Sequence, residues 1–269
     1  MIQLLCLDVD GTLLNSHKEL PAENKKAIHY AIEKGVQVYI ATGRSMRGIE
    51  HLFQELEIPR KAICLSGGLI YDQKKIYSTH LDHNAVEKIV DLVEKYQSQV
   101  FLSMENINIT NGQLAKELQV LVDNGSLKSA YHFCKDYEEL HQQATLHKRE
   151  IIKAAIKEFD EKNYTLLKQE LIDLDLFNVA KSDLYFVDVT SRDCHKGKAI
   201  QHLAKYLNIP LSDVMCIGDN ENDKEMIQTA GIGIAMGNAV KEVKEIAVDI
   251  TTSNDECGVA QAIYKYIGG

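Results

Sequence analysis

Short apolar runs alternate with amphipathic stretches at both ends of this chain, whereas the middle is richer in Lys, Glu and Gln. Ile2 to Leu7 is an apolar run of strand length broken only by Gln3, which predicts a strand buried on both faces, as in a parallel sheet. A helix is predicted from Ala22 to Lys34, opened by Pro21 and closed by Gly35. A strand Val36 to Ala41, a helix from Ser45 to about Glu55 and a strand Lys61 to Leu65 come next. The alternation resumes with a helix Gly197 to Leu207, a strand Val214 to Ile217, a helix Glu221 to Thr229, a strand Ile232 to Met236 and a helix Gly258 to Ile267. Such a βαβα order implies right-handed crossovers and a Rossmann-like, doubly wound parallel sheet in an α/β fold.

Between about residues 82 and 188 the pattern changes. A helix is predicted over Asn84 to Tyr96, with Val86, Ile89, Val90 and Val93 as its apolar stripe, and a short strand over Val100 to Met104. This stretch is expected to fold as a separate layer that covers the first. No internal repeat or low-complexity linker is visible, and the three prolines mark no hinge. One or two domains suit a chain of 269 residues.

The formal net charge of −9 argues against a nucleic-acid or anionic-membrane partner, so an anionic substrate must be met by local positive charge. Cys6, Cys64, Cys134, Cys194, Cys216 and Cys257 are scattered with no C-x-x-C pair, and read as small core residues of a reducing compartment. The chain enters its first strand at once, with no basic leader and no apolar segment near the ~20 residues that cross a bilayer, so a cytoplasmic location is expected. The acceptor patterns at Asn108-Ile109-Thr110 and Asn163-Tyr164-Thr165 carry no weight without a secretory signal.

Asp8-Val9-Asp10-Gly11-Thr12 comes directly after the first strand. Strand alternation sends Asp8 and Asp10 to the same side, and Gly11 lets the backbone bend close to a ligand. Ligands of doubly wound sheets bind beyond the carboxyl ends of strands, where this pair would lie; the bland alternative is two acids capping a turn. Three further segments supply what a phosphate site needs. Thr42-Gly43-Arg44 offers a hydroxyl and backbone N–H groups at a helix start, Gly218-Asp219-Asn220-Glu221-Asn222-Asp223 a second acidic cluster, and His195-Lys196-Gly197-Lys198 cations. Asp8, Asp10, Asp219 and Asp223 against Lys196 and one Mg²⁺ leave an excess negative charge. One carboxyl should therefore keep a proton, and a protonated Asp10 is what a leaving alkoxide requires. Oxygen donors suit Mg²⁺ better than Zn²⁺, for which Cys and His clusters are absent; no H-E-x-x-H occurs among the ten histidines. Gly231, Gly233 and Gly237 miss the dinucleotide spacing.

The ordered set Asp8-Val9-Asp10-Gly11-Thr12, Thr42-Gly43-Arg44, Lys196-Gly197 and Gly218-Asp219-Asn220-Glu221-Asn222-Asp223 resembles the haloacid dehalogenase superfamily, specifically its Cof-type phosphatases. Gly237-Asn238-Ala239 and Asp255-Glu256-Cys257-Gly258-Val259 extend the likeness to the carboxyl end. The resemblance implies a core of residues 1–81 and 189–269 and an inserted α/β cap of the C2 type over 82–188, a lid that excludes water and chooses the substrate. It implies that Asp8 is the nucleophile forming an aspartyl-phosphate, that Asp10 protonates the leaving oxygen and then activates water, and that Lys196 assists. Val9, Thr42, Gly43, Arg44, Lys196 and Asn222 would bind substrate. Asp8, the Asp10 carbonyl and Asp219 would hold Mg²⁺, with Asp223 at the metal or orienting Lys196 or metal-bound water. Ser66-Gly67-Gly68 stands where relatives commonly show Asn-Gly-Ala. His147-Lys148-Arg149 reads either as a contact for a second anionic group or as a solvated patch, and Arg44 as a substrate contact or a surface pair.

The expected activity is Mg²⁺-dependent hydrolysis of phosphate monoesters of small metabolites such as sugar phosphates, by a monomer or weak homodimer that meets neither nucleic acid nor membrane. A hexose phosphomutase is the nearest rival. A signalling receiver phosphorylated on Asp without turnover is a different class, disfavoured by Asp10 and the cap-sized insertion, and a silent binding protein is the last.

Overall fold

A computed structural model describes residues 1–114, 119–120 and 128–268; residues 115–118 and 121–127 of the expected cap, and Gly269, lie outside the described residues. In chain order the first strands are β1 (Leu4–Leu7), β2 (Gln37–Ala41), β3 (Lys61–Cys64), β4 (Leu69–Asp72) and β5 (Lys74–Ser78). β6 (Gln99–Ser103), β7 (Asn108–Thr110), β8 (Tyr131–Phe133), β9 (Lys153–Lys157), β10 (Phe177–Asp183) and β11 (Phe186–Ser191) are next. β12 (Val214–Gly218), β13 (Ile232–Ala235) and β14 (Asp249–Ile250) complete the set. Two compact units divide the chain, Met1–Tyr77 with His195–Gly269, and Ser78–Cys194. The divide falls where β5, at the edge of the first sheet, ends at Ser78 and just after β11 of the second sheet ends at Ser191.

The first unit carries a sheet in the order β14-β13-β12-β1-β2-β3-β4-β5. From β14 to β3 the pairs are parallel, but β4 runs antiparallel to β3, so the sheet is mixed where the sequence predicts a parallel one. The reason is the short link: Leu65 to Gly68 leaves no room for a crossover helix, and the chain turns back. β1 is fully buried along Leu-Leu-Cys-Leu, as its uninterrupted apolar run requires. Helix Met46–Leu56 buries Met46, Ile49, Leu52, Phe53 and Leu56 on one face and is capped by the Ser45 side chain, which accepts from the Gly48 amide. The run expected as one helix from Glu221 breaks into a 3₁₀ turn, Glu221–Asp223, and a helix Lys224–Thr229, because Asp223 turns its carboxylate back onto the loop.

The second unit carries the sheet β10-β11-β9-β6-β7-β8, antiparallel except for β7 with β8. Val100, Leu102, Ala154, Ile156, Val187 and Val189 alternate onto its buried face. Helices His83–Lys95 and Glu161–Asp173 pack there through Val86, Ile89, Val90, Val93, Leu167 and Leu171. Among the described residues no helix is long and apolar enough to cross a membrane.

Candidate active site

The carboxyl ends of β2, β1 and β12 lie side by side, with Leu7 in register with both Ile40 and Ile217. The residues after each strand therefore emerge at one edge of the sheet, where the chain's path switches from one side of β1 to the other. Asp8 is held by its own amide, which donates to the Ile217 carbonyl at 3.0 Å. Beyond it the Val9 and Asp8 carbonyls accept from Leu14 and Leu13, and the chain turns at Gly11 with φ +82°. A β-carbon at Gly11 would sit 2.5 Å from an Asp219 carboxylate oxygen. Gly11→Ala is thus expected to cost more than about 1–2 kcal/mol, the left-handed penalty alone, because Asp219 must also move. Thermal melting measures that cost, and a variant as stable as the parent would show that the turn has slack.

Lys196 stands at the centre. It is fully buried, and its ammonium donates to Asp8 Oδ1 and to Asp223 Oδ1, each at 2.6 Å. It begins helix Lys196–Leu207, whose cap is the His195 ring, accepting from the Lys198 amide. His195, expected among the cations, is spent on that cap, and Lys198 is exposed. Gly67, with φ +107°, approaches so closely that a β-carbon would lie 2.5 Å from the His195 carbonyl. Ser66-Gly67-Gly68 accordingly props the start of this helix, and the amides of Leu65 and Ser66 donate to the carbonyls of Arg44 and Thr42.

Carboxylate oxygens of Asp8, Asp219 and Asp223 all lie within 4.8 Å of one another. Thr12 donates its hydroxyl to Asp219 at 2.7 Å, joining loops two hundred residues apart in sequence. Asp223 belongs to the cluster, yet both its oxygens are occupied: Oδ1 by Lys196 and Oδ2 by the amides of Asp219 and Asn220. These bonds suit its expected task of orienting Lys196, and its place in the cluster keeps it among the candidate metal ligands. Asn222 stands half-buried in the same turn and, among the described residues, makes no side-chain hydrogen bond to the acids.

The Asp10 carboxylate points elsewhere. Arg44 grips it with two bonds, Nε to Oδ2 at 2.8 Å and Nη2 to Oδ1 at 2.6 Å, and Lys18 adds a third at 3.0 Å. Strand alternation fails here because β1 ends at Leu7, so Asp8 and Asp10 face different cations. Arg44 pairs with the acid itself. Lys18 escapes a reading of the sequence, since nothing in the polar run Asn15 to Glu19 marks one lysine as the partner. Val9, expected at the substrate, buries its side chain in the core, leaving only its main chain to reach a ligand. Thr42 is buried, with its hydroxyl accepting from the Arg44 amide, and Gly43 lies between them. In the second unit His147 pairs with Glu150, and Lys148 lies 3.9 Å from Glu87.

Protonation is set by these neighbours. Burial lifts Asp10, but the hydrogen bonds and charges of Arg44 and Lys18 outweigh it and hold the carboxyl below its ordinary value. In the metal-free site the neighbours of Asp10 thus favour its ionised form, whereas it is expected to be protonated when a leaving alkoxide must be met. Burial, with Asp223 and the other acids beside them, raises Asp8 well above the usual range and Asp219 to about 7. Burial pulls Lys196 down, but the carboxylates of Asp223 and Asp8 outweigh it and raise the ammonium above its ordinary value. Clustered oxygen donors with unneutralised negative charge are what a hard divalent cation fits.

Residues 5–263 match the haloacid dehalogenase-like hydrolase family. Phosphatase YwpJ of Bacillus subtilis is 32% identical, the match covering 96% of this chain and 98% of that protein. The 5-amino-6-(5-phospho-D-ribitylamino)uracil phosphatase YwtE of the same organism is also 32% identical, over 100% of this chain and 99% of its own. Among solved structures, a haloacid dehalogenase-like hydrolase from B. subtilis superposes with a TM-score of 0.87 at 26% identity, covering 98% and 100% of the two chains. Another, from Bacteroides thetaiotaomicron, gives 0.79 at 29% identity over 98% and 99%. With its acids, lysine and strand ends in place and its whole length matched, the chain belongs to the haloacid dehalogenase-like hydrolase family.

Proposed function

We propose that this chain is a Mg²⁺-dependent phosphatase that hydrolyses phosphate monoesters of small metabolites through an aspartyl-phosphate on Asp8. The observation that carries the reading is the buried Lys196 bridging Asp8 and Asp223 within a cluster that also holds Asp219. A phosphate monoester brings two negative charges to a site already rich in carboxylates, so catalysis must consist chiefly of neutralisation and alignment. A divalent ion held by Asp8, Asp219 and the Asp10 carbonyl supplies charge neutralisation for the phosphoryl oxygens.

The protein's own groups do the rest. Lys196 favours the ionised form of Asp8 against its burial and aims it, and Asp223 keeps Lys196 in place. An Asp8 oxygen forms the bond to phosphorus as the bond to the leaving oxygen breaks, and that oxygen takes a proton from Asp10. In the second displacement Asp10 accepts the proton of water as it attacks phosphorus, and Asp8 leaves as carboxylate. Gripped by Arg44 and Lys18, Asp10 is ready for this second task. Its acid role requires that the grip be released when substrate arrives. Thr42, Gly43 and Asn222 are assigned to the phosphoryl oxygens, and the second unit, as the lid, to the choice of leaving group.

Phosphate release from a panel of phosphorylated metabolites, with and without Mg²⁺, tests the reading. Hexose 1-phosphate converted to an isomer with no free phosphate would make the chain a mutase, and a stable phospho-Asp8 without turnover would make it a receiver.

Asp219 ties metal binding to pH. Because its folded-state value near 7 lies above the ordinary 3.8, the folded protein holds a proton that the unfolded chain releases, and the associated stability is lost as pH rises through 7. Asp8 has the same sign. Melting of the metal-free protein is therefore expected to fall between pH 5 and 8, while stabilisation by Mg²⁺ grows over that interval as the proton ceases to compete. Mg²⁺ stabilisation independent of pH from 6 to 8 would remove Asp219 from the metal.

A further inference from the structure

We propose that Asn238 and Asn254 are positioning residues that fix the separation of the two acidic loops, and so the affinity of the site for a divalent ion. The inference rests on the metal-dependent reading above.

The loop Gly11–Leu14 has few main-chain partners of its own beyond the carbonyls of Asp8 and Val9. It is held from outside by side chains of remote sequence. Asn238 donates its amide to the Gly11 carbonyl at 2.8 Å, and Asn254 donates to the Leu14 carbonyl at 2.9 Å. The two asparagines are joined, because the Asn238 side-chain oxygen accepts from the Asn254 amide at 3.0 Å. Asp255 adds a bond from the Ser16 amide at 2.8 Å.

The turn that carries Asn238 also holds the other acidic loop. The Met236 amide donates to the Gly218 carbonyl at 3.0 Å, and the Val240 amide to the Asp219 carbonyl at 2.9 Å. One short turn between β13 and helix Lys241–Ile246 therefore touches both loops that carry the acids. Its own place is set by the 251–258 segment. The Gly237 amide donates to the Thr252 carbonyl at 2.9 Å, and a β-carbon at Gly237 would lie 2.7 Å from the Ser253 nitrogen. A carboxamide is the group this clamp needs at both positions, since each side chain must donate to a carbonyl and Asn238 must accept as well. Aspartate lacks the donor and would set a further anion beside the site.

Groups that hold ligand-bearing segments from behind tune metal affinity. Asn238 is exposed, so Asn238→Ala is the first variant, with Asn254→Ala as its buried companion. Mg²⁺ binding to the full chain, measured by calorimetry, is expected to weaken about tenfold in Asn238→Ala. Amide hydrogen exchange over residues 11–16 should quicken in the metal-free variant, and kcat should fall at limiting Mg²⁺ with the substrate KM changed less. Unchanged Mg²⁺ affinity and unchanged exchange in an active variant would overturn the inference alone. So would a loss of activity that tracks the unfolded fraction while the folded fraction binds Mg²⁺ as the parent does. A parent that neither binds Mg²⁺ nor releases phosphate would defeat the functional reading and take this inference with it.

Discussion

Asp8→Asn is expected to abolish phosphate release, by at least about a thousandfold, while the metal-free protein at pH 8 melts no lower than the parent. The two halves have one cause. Asp8 lies buried beside Asp219 and Asp223, and its carboxyl is raised well above the ordinary range even though Lys196 bonds to it. The folded state therefore penalises the ionised form, and an uncharged isostere removes the penalty. Asparagine still accepts from Lys196 through its side-chain oxygen, so the local packing survives. What disappears is the nucleophile, because a neutral amide oxygen cannot displace a leaving group from phosphorus at a useful rate. Phosphate release and thermal melting on the same preparation check both halves. Turnover within tenfold of the parent would remove Asp8 from its role, and a large drop in melting would show that its charge is structural.

Lys196→Met should fail in the opposite way, losing both stability and activity. Methionine resembles lysine in length, so the volume is nearly kept, but the ammonium that separates Asp8 from Asp223 is gone. Removing one partner from a fully buried ionic group leaves the others uncompensated and costs about 3–5 kcal/mol. Part of that cost returns as protonation, since two carboxylates so placed share a proton. The loss should therefore shrink as pH is lowered from 8 toward 5, a signature that a packing defect would not show. Melting of Lys196→Met at both pH values tests this. A loss of the same size at pH 5 and pH 8 would show that the carboxylates are not what the lysine neutralises. Activity is not expected to return with Mg²⁺, because the ammonium that bonds to Asp8 and aims it is gone.

Much of this site is visible in local sequence, and the reason is that its parts are strand ends. An uninterrupted apolar run such as Leu4–Leu7 can only be a strand buried on both faces, and the residues after it must emerge at the sheet edge. The same logic applied to Val214–Gly218 and Gln37–Ala41 brings Asp8, Asp219 and Thr42 toward one place on sequence grounds alone. The spacing of Met46, Ile49, Leu52, Phe53 and Leu56 likewise identifies a helix from its own period. Patterns of this kind are set by neighbours within a few residues, so one sequence displays them.

Partners that only folding supplies are a different matter. Arg44 and Lys18 meet on Asp10 because two loops cross, and that crossing lowers the Asp10 carboxyl while burial among other acids raises those of Asp8 and Asp219. His195 becomes a helix cap, Asp223 is taken up by Lys196, and Asn238 and Asn254 reach loops more than two hundred residues away. The sequence alone determined the alternation of strands and helices, the acids at the strand ends and the family they signal. The tertiary structure decided the charge state and the pairing of each acid. Charge states depend on distances of a few ångströms between groups remote along the chain, and no periodicity within a segment encodes such distances.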